Sequence, residues 1–174
     1  MPLTFDLPLE QLKTYKGRNP KPADFDEFWE ARLAEMRGVD PAVEMTPAEF
    51  TAPFAQCLDL WFTGVGGARV HAKLLQPRKA AAKKGPAVVM FHGYSGDSGD
   101  WSEKLGYVAA GFTVAALDCR GQGGKSEDRG GVTGNTLHGH IVRGLDDAAE
   151  KMLFVRIFLD TAQLTGIVMG MPQV

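Results

Sequence analysis

Cysteine is scarce in this chain, whose 174 residues include only Cys57 and Cys119. Two thiols in different segments exclude a disulfide framework and a cysteine-rich metal centre, so stability has to come from a packed core. Long apolar runs are missing as well, and no stretch approaches the roughly 20 residues that span a bilayer. The opening MPLTFDLPLEQLKTYKG has no basic stretch leading into an apolar one, which makes a soluble, cytoplasmic protein the expectation. Nor is there an excess of one charge: a formal net charge of −2 gives no electrostatic reason to expect nucleic acid or a membrane as partner. No internal repeat is visible. What remains is an ordinary globular composition, 44% hydrophobic, in a length that suits one domain with a sizeable core.

Glycine, by contrast, is plentiful, and the stretch FTVAALDCRGQGGKSEDRGG at 112–131 raises the question of phosphate binding. A P-loop, G-x-x-x-x-G-K-[ST], would match Gly124, Lys125 and Ser126 but requires glycine where Cys119 stands. The dinucleotide fingerprint G-x-G-x-x-G fits Gly121 and Gly123 and then fails at Ser126. The polar tract over 120–135 is also too long for a tight turn into a helix N-terminus that could hold a phosphate. Nucleotide binding is therefore not expected.

Hydrophobic patterning supplies the elements. Residues through 22 are punctuated by proline and read as extended. A helix is expected over 23–37, with Asp24 as cap and Phe25, Phe28, Trp29, Leu33 and Met36 on one stripe, ending at Gly38. After an irregular stretch, segments 58–63 and 68–76 joined by GVGG read as an antiparallel hairpin. PRKAAAKKGP is a basic, solvated connector. PAVVMF at 86–91 does not alternate, which predicts a strand in the middle of a sheet covered on both faces. A helix over 101–110 closed by Gly111 and an apolar strand over 112–118 complete a right-handed βαβ unit. A last helix, capped by Asp146 or Asp147, is expected to reach about Val168 with Met152, Val155, Phe158, Leu159 and Ala162 buried.

This order of elements, with the segments FHGYSGDSGDW, LDCRGQGG, GLDDAAEKMLFVRIFLDT and FDEFWEARLAEM, resembles the acetyl xylan esterase and cephalosporin C deacetylase family of α/β-hydrolases. The resemblance runs along nearly the whole chain and implies an α/β fold: an antiparallel hairpin leading into a parallel sheet with flanking helices. On it, residues 1–174 are the N-terminal portion of a single hydrolase domain, with 1–56 an extension and 57–174 a partial core. Such an enzyme needs a serine on a G-x-S-x-G elbow, then an acid, then a histidine. Ser95, Ser98 and Ser126 lie on no such elbow. The expectation is thus the N-terminal half of a serine carboxylesterase, ending one strand before its nucleophile and inactive alone. Its substrates would be small acetyl esters, acetylated sugars or cephalosporin-type esters. The alternatives are another α/β-hydrolase, of peptidase or dienelactone hydrolase type, or a non-catalytic binding or assembly module. A companion fragment or missing C-terminal half is the implied partner, and similar proteins form closed oligomers.

The same resemblance assigns roles. Tyr94 would give its backbone N–H to an oxyanion hole, against the plainer reading of an aromatic loop residue. His92 would position the loop, because the family's catalytic histidine follows the serine. Gly93 and Gly121 would allow the loop turns, and Arg120 and Gln122 would organise the RGQG loop by hydrogen bonds. Lys125 and Ser126 would then be solvated. Trp101 could line an acyl pocket or cap the core. Cys119 reads as a buried, inert thiol. Asp97, Asp100, Asp118, His138 and His140 lack the spacing of a metal site, so no metal and no cofactor is expected.

Overall fold

The computed structural model describes residues 6–78, 84–129 and 142–174. His138 and His140, and part of the glycine-rich tract, lie outside them. A short helix, α1 (Leu9–Leu12), precedes α2 (Phe25–Arg37), so the N-terminal segment is not extended throughout. Five strands follow: β1 (Glu44–Pro47), β2 (Ala55–Thr63), β3 (Arg69–Pro77), β4 (Ala87–Met90) and β5 (Thr113–Leu117). Between β4 and β5 a 3₁₀ turn (Trp101–Lys104) runs into α3 (Leu105–Ala109), and α4 (Leu153–Met169) comes last. The sheet order is β1-β2-β3-β5-β4. β1, β2, β3 and β5 pair antiparallel in turn, and β4 lies parallel to β5.

Alternation along the hairpin decides which side chains face which helix. Leu58, Leu60 and Phe62 of β2, Val70, Ala72 and Leu74 of β3 and Ala115 and Leu117 of β5 share one face, packed with Leu153, Ile157, Leu164 and Val168 of α4. Cys57, Leu75 and Val114 point the other way, onto Val108 with Trp101 and Leu105. Each fully buried Leu or Phe contributes roughly 1.5–3 kcal/mol by leaving water. The α2 stripe docks in a third cluster, where Phe28, Trp29, Leu33 and Met36 pack on Val65, Val155 and Leu159.

Several sequence expectations need correction. Among the described residues β4 has β5 as its one neighbour and its residues are all half-buried, the open edge expected where its other neighbour lies outside these residues. Continuous apolar character reports that both faces are covered, and it says nothing about neighbours along the hydrogen-bonding direction. The stretch read as irregular contains β1, where Glu44 to Pro47 align with Trp61 to Leu58. Asp24 occupies the N-cap position of α2 but makes no side-chain capping bond. Neither Asp146 nor Asp147 caps α4: Asp147 takes the Ala148 N–H and the Lys151 ammonium, the chain turns again, and helix begins only after Met152. Val155 and Leu159 are buried as expected, but Phe158 is half exposed beside Trp29, and Asp160 and Gln163 are inside because α4 also packs on the sheet.

Candidate active site

At the carboxyl ends of the parallel strands, the loop after β4 and the loop after β5 lie against each other and are cross-linked repeatedly. His92 has both ring nitrogens engaged: Nδ1 stands 2.7 Å from the Gly93 carbonyl and Nε2 is 2.9 Å from the Cys119 N–H. A carbonyl can only accept and an amide N–H can only donate here, so Nδ1 carries the proton and Nε2 receives. A histidine committed in this way positions a loop. It has no nitrogen left to act as a base. The Ser95 N–H donates to Gln122 Oε1 at 2.6 Å, the Gly123 N–H to the Gly96 carbonyl at 2.9 Å, and the Ser98 N–H to Asp118 Oδ1 at 2.7 Å. Ser95 sits at φ +56°, a left-handed turn that those bonds hold in place.

Tyr94 lies inside this braced loop, and its side chain is half exposed. Among the described residues its N–H donates to no protein acceptor, unlike that of Ser95 beside it. It borders an open cleft lined by His92, Gly93, Tyr94, Cys119, Gln122, Phe154 and Ile157. Burial, with the Asp160 carboxylate nearby, pushes the Cys119 thiol up to about 11, so it stays a neutral wall of the cleft.

Arg120 is fully buried beneath the RGQG loop, with Nε and Nη2 on the two oxygens of Asp160 and Nη1 on the Val65 carbonyl. Its hydrogen bonds organise the loop, and it has no surface to offer a substrate. Burial pushes the Asp160 carboxyl up while the Arg120 guanidinium opposes that rise. Gly121 takes φ +65°, the turn for which glycine is suited. Trp101 does not line the cleft. It stacks on Phe50, with centroids 6.1 Å apart and planes 6° from parallel, and packs in the core on the opposite face. Ser126 is buried, not solvated: its hydroxyl donates to the Asp118 carbonyl and accepts the His71 N–H. Lys125 is exposed but bound to Asp59 at 2.9 Å.

Sequence reasoning missed Phe154 and Ile157 in the cleft wall, because α4 packs on α2 along one side and on the sheet along another, and the single expected stripe described only the first. It also missed His71, held between Asp118 and Asp59. The available signal was parity: in VHAKLL, Val70, Ala72 and Leu74 share the core face, which puts His71 with Lys73 on the other.

A parallel pair joined through α3, an antiparallel hairpin beside it and loops converging at the strands' carboxyl ends define an α/β-hydrolase. A family model described as acetyl xylan esterase (AXE1) matches residues 1–174. The chain belongs to the acetyl xylan esterase family. It is 62% identical to acetyl xylan esterase 1 from Thermoanaerobacterium sp. JW/SL YS485, with a TM-score of 0.88, covering 98% of this chain and 53% of that one. An acetyl xylan esterase from Paenibacillus sp. R4 is 27% identical with a TM-score of 0.82, over 97% of this chain and 54% of that one. Dipeptidyl-peptidase 5 of Schizosaccharomyces pombe is 35% identical over 74 residues, 38% of this chain and 10% of its own length. The chain thus spans about half the length of the solved esterases it matches.

Proposed function

We propose that these residues form the N-terminal portion of a serine carboxylesterase that removes acetyl groups from small esters, acetylated sugars or cephalosporin-type substrates. The observation that carries the reading is the Tyr94 N–H at the edge of a cleft, which donates to no acceptor among the described residues while the Ser95 and Gly96 N–H groups that follow it are bonded. A donor fixed in advance, and aimed where an acetyl carbonyl oxygen gains charge, stabilises the tetrahedral intermediate without reorganising. His92 and Gln122 brace the donor, Arg120 and Gly121 hold the loop that carries Gln122, and Gly93 lines the cleft beside it. The serine, acid and histidine are not among the motifs of these 174 residues. In our reading they come from the rest of the hydrolase fold, the partner this portion requires. Oligomerisation and a cytoplasmic setting are part of the same proposal.

The test is acetyl ester hydrolysis with 4-nitrophenyl acetate as probe. The complete enzyme should turn over and be silenced by a serine-directed phosphonate, whereas residues 1–174 alone should be no faster than a denatured control. A peptidase is the second reading, favoured only by the likeness to dipeptidyl-peptidase 5. Cleavage of a dipeptidyl anilide with no acetyl release would select it.

A further inference from the structure

His71 is fully buried in β3 on the sheet face away from α4, and both of its ring nitrogens meet carboxylates. Nδ1 is 2.6 Å from Asp118 Oδ2 and Nε2 is 2.6 Å from Asp59 Oδ1. The other groups facing the ring are the Trp61 indole, 4.8 Å between centroids, and the Lys125 ammonium on Asp59. The backbone closes the same unit: the Asp118 N–H donates to the His71 carbonyl at 2.9 Å, and Ser126 Oγ accepts the His71 N–H at 2.8 Å.

Asp118 is where this unit reaches the active-site loops. Its Oδ1 takes the Ser98 N–H of the loop after β4, and its Oδ2 takes the Lys125 N–H of the loop after β5 at 3.0 Å. The loop is wrapped so closely that a Cβ at Gly124 would overlap the Asp118 carboxyl group. One carboxylate thus ties the loop that carries Tyr94 to the loop after β5. The direction in which its oxygens point is fixed by the ring behind it.

We propose that His71 is a positioning residue for the oxyanion loop, acting on the Tyr94 N–H through Asp118 and Ser98. The proposal rests on the esterase reading. Displacement of a reacting geometry by an ångström can cost about 10²-fold in rate, so a carboxylate freed to rotate lowers kcat without altering substrate contacts. The two ring nitrogens have separate amide mimics: an asparagine can keep a donor near the Nδ1 position, and a glutamine near Nε2.

The experiment compares His71→Gln with His71→Asn in the complete enzyme, using 4-nitrophenyl acetate and amide hydrogen exchange at Ser98. His71→Gln should lower kcat about tenfold or more with KM nearly unchanged, and should speed Ser98 exchange. His71→Asn should recover most of kcat and the Ser98 protection. Equal losses in the two variants, or wild-type kcat and protection in a folded His71→Gln, would overturn the proposal. Should His71→Gln not fold, Ser126→Ala replaces it: the same split of kcat against KM supports the proposal, and an unchanged kcat overturns it. If the wild-type enzyme does not hydrolyse the ester while Ser98 exchange follows the two variants as stated, the esterase reading fails and the coupling stands.

Discussion

Arg120 and Asp160 are joined by two parallel hydrogen bonds, Nε to Oδ2 at 2.6 Å and Nη2 to Oδ1 at 2.5 Å, with both side chains wholly out of solvent. They tie the RGQG loop to the middle of α4. Two desolvated charges repay their burial only when the geometry is good, and the fork of the guanidinium on the carboxylate supplies it. Gly64 is packed directly on this pair. A Cβ there would stand 2.6 Å from Arg120 Nη2 and closer still to Asp160 Oδ1.

Gly64→Ala is accordingly expected to destabilise the fold by about 3 kcal/mol, through forced separation of the pair and not through backbone strain. The residue has φ −89°, which alanine accepts readily. Asp160→Ala should cost about 3–5 kcal/mol by removing the carboxylate hydrogen-bonded to a buried guanidinium, with Asp128 left 3.8 Å away from it. Urea unfolding monitored by tryptophan fluorescence measures both. A Gly64→Ala protein as stable as wild type would mean that the pair tolerates displacement.

Asp118 gives a pH signature of known sign. Burial by itself pushes its carboxyl up, but hydrogen bonds from His71 and from the Lys125 and Ser98 N–H groups outweigh that and hold it well below the usual carboxylate range. A depressed carboxylate stabilises the fold at pH values above its unfolded pKa of about 3.9, and that contribution is lost as pH falls toward the folded value. Asp118→Asn should be less stable than wild type at pH 6, and the gap should narrow as pH drops below about 4. Unfolding free energies at a series of pH values check this. A gap independent of pH would show that ionisation of Asp118 does not contribute.

The elements legible in the sequence were those with a clean periodicity. The β2–β3 hairpin alternates, the α2 stripe repeats at helical spacing, and the β4–α3–β5 unit carries its own punctuation in Gly111. The loops were legible through FHGYSG and LDCRGQGG because such segments carry a family resemblance. Polar burial was not. Asp160 falls on the same helical stripe as Leu153, Ile157, Leu164 and Val168, where its charge argues against burial, and only the Arg120 side chain arriving from another loop explains it. For His71 parity gives the sheet face, but its partners depend on strand pairing that puts it opposite Trp61 and beside Asp118. Long-range partners leave no local signal.

The open side of β4 should govern how the isolated chain behaves. Ala87 to Met90 pair with β5 on one side, and among the described residues no strand lies on the other. Phe91, which follows, is about half exposed, at 49%. An apolar edge with unpaired N–H and C=O groups recruits other chains. Residues 1–174 expressed alone should self-associate or bind a complementary polypeptide, which light scattering on a sizing column would detect. A monodisperse monomer with a cooperative melt would count against it.

The last prediction separates the two ends of Tyr94. If the working donor is the backbone N–H, Tyr94→Phe keeps it and should retain a large share of kcat in the complete enzyme. Tyr94→Pro deletes the N–H, and losing one oxyanion contact typically lowers kcat by roughly 10²–10³-fold, about 3–4 kcal/mol. Proline also restricts the preceding Gly93, so an unchanged melting temperature has to accompany the measurement. Equal damage from Phe and Pro would make the phenol the working group. A well-folded Pro variant with full kcat would remove Tyr94 from the oxyanion hole, and the bracing by His92 and Gln122 would then need another purpose.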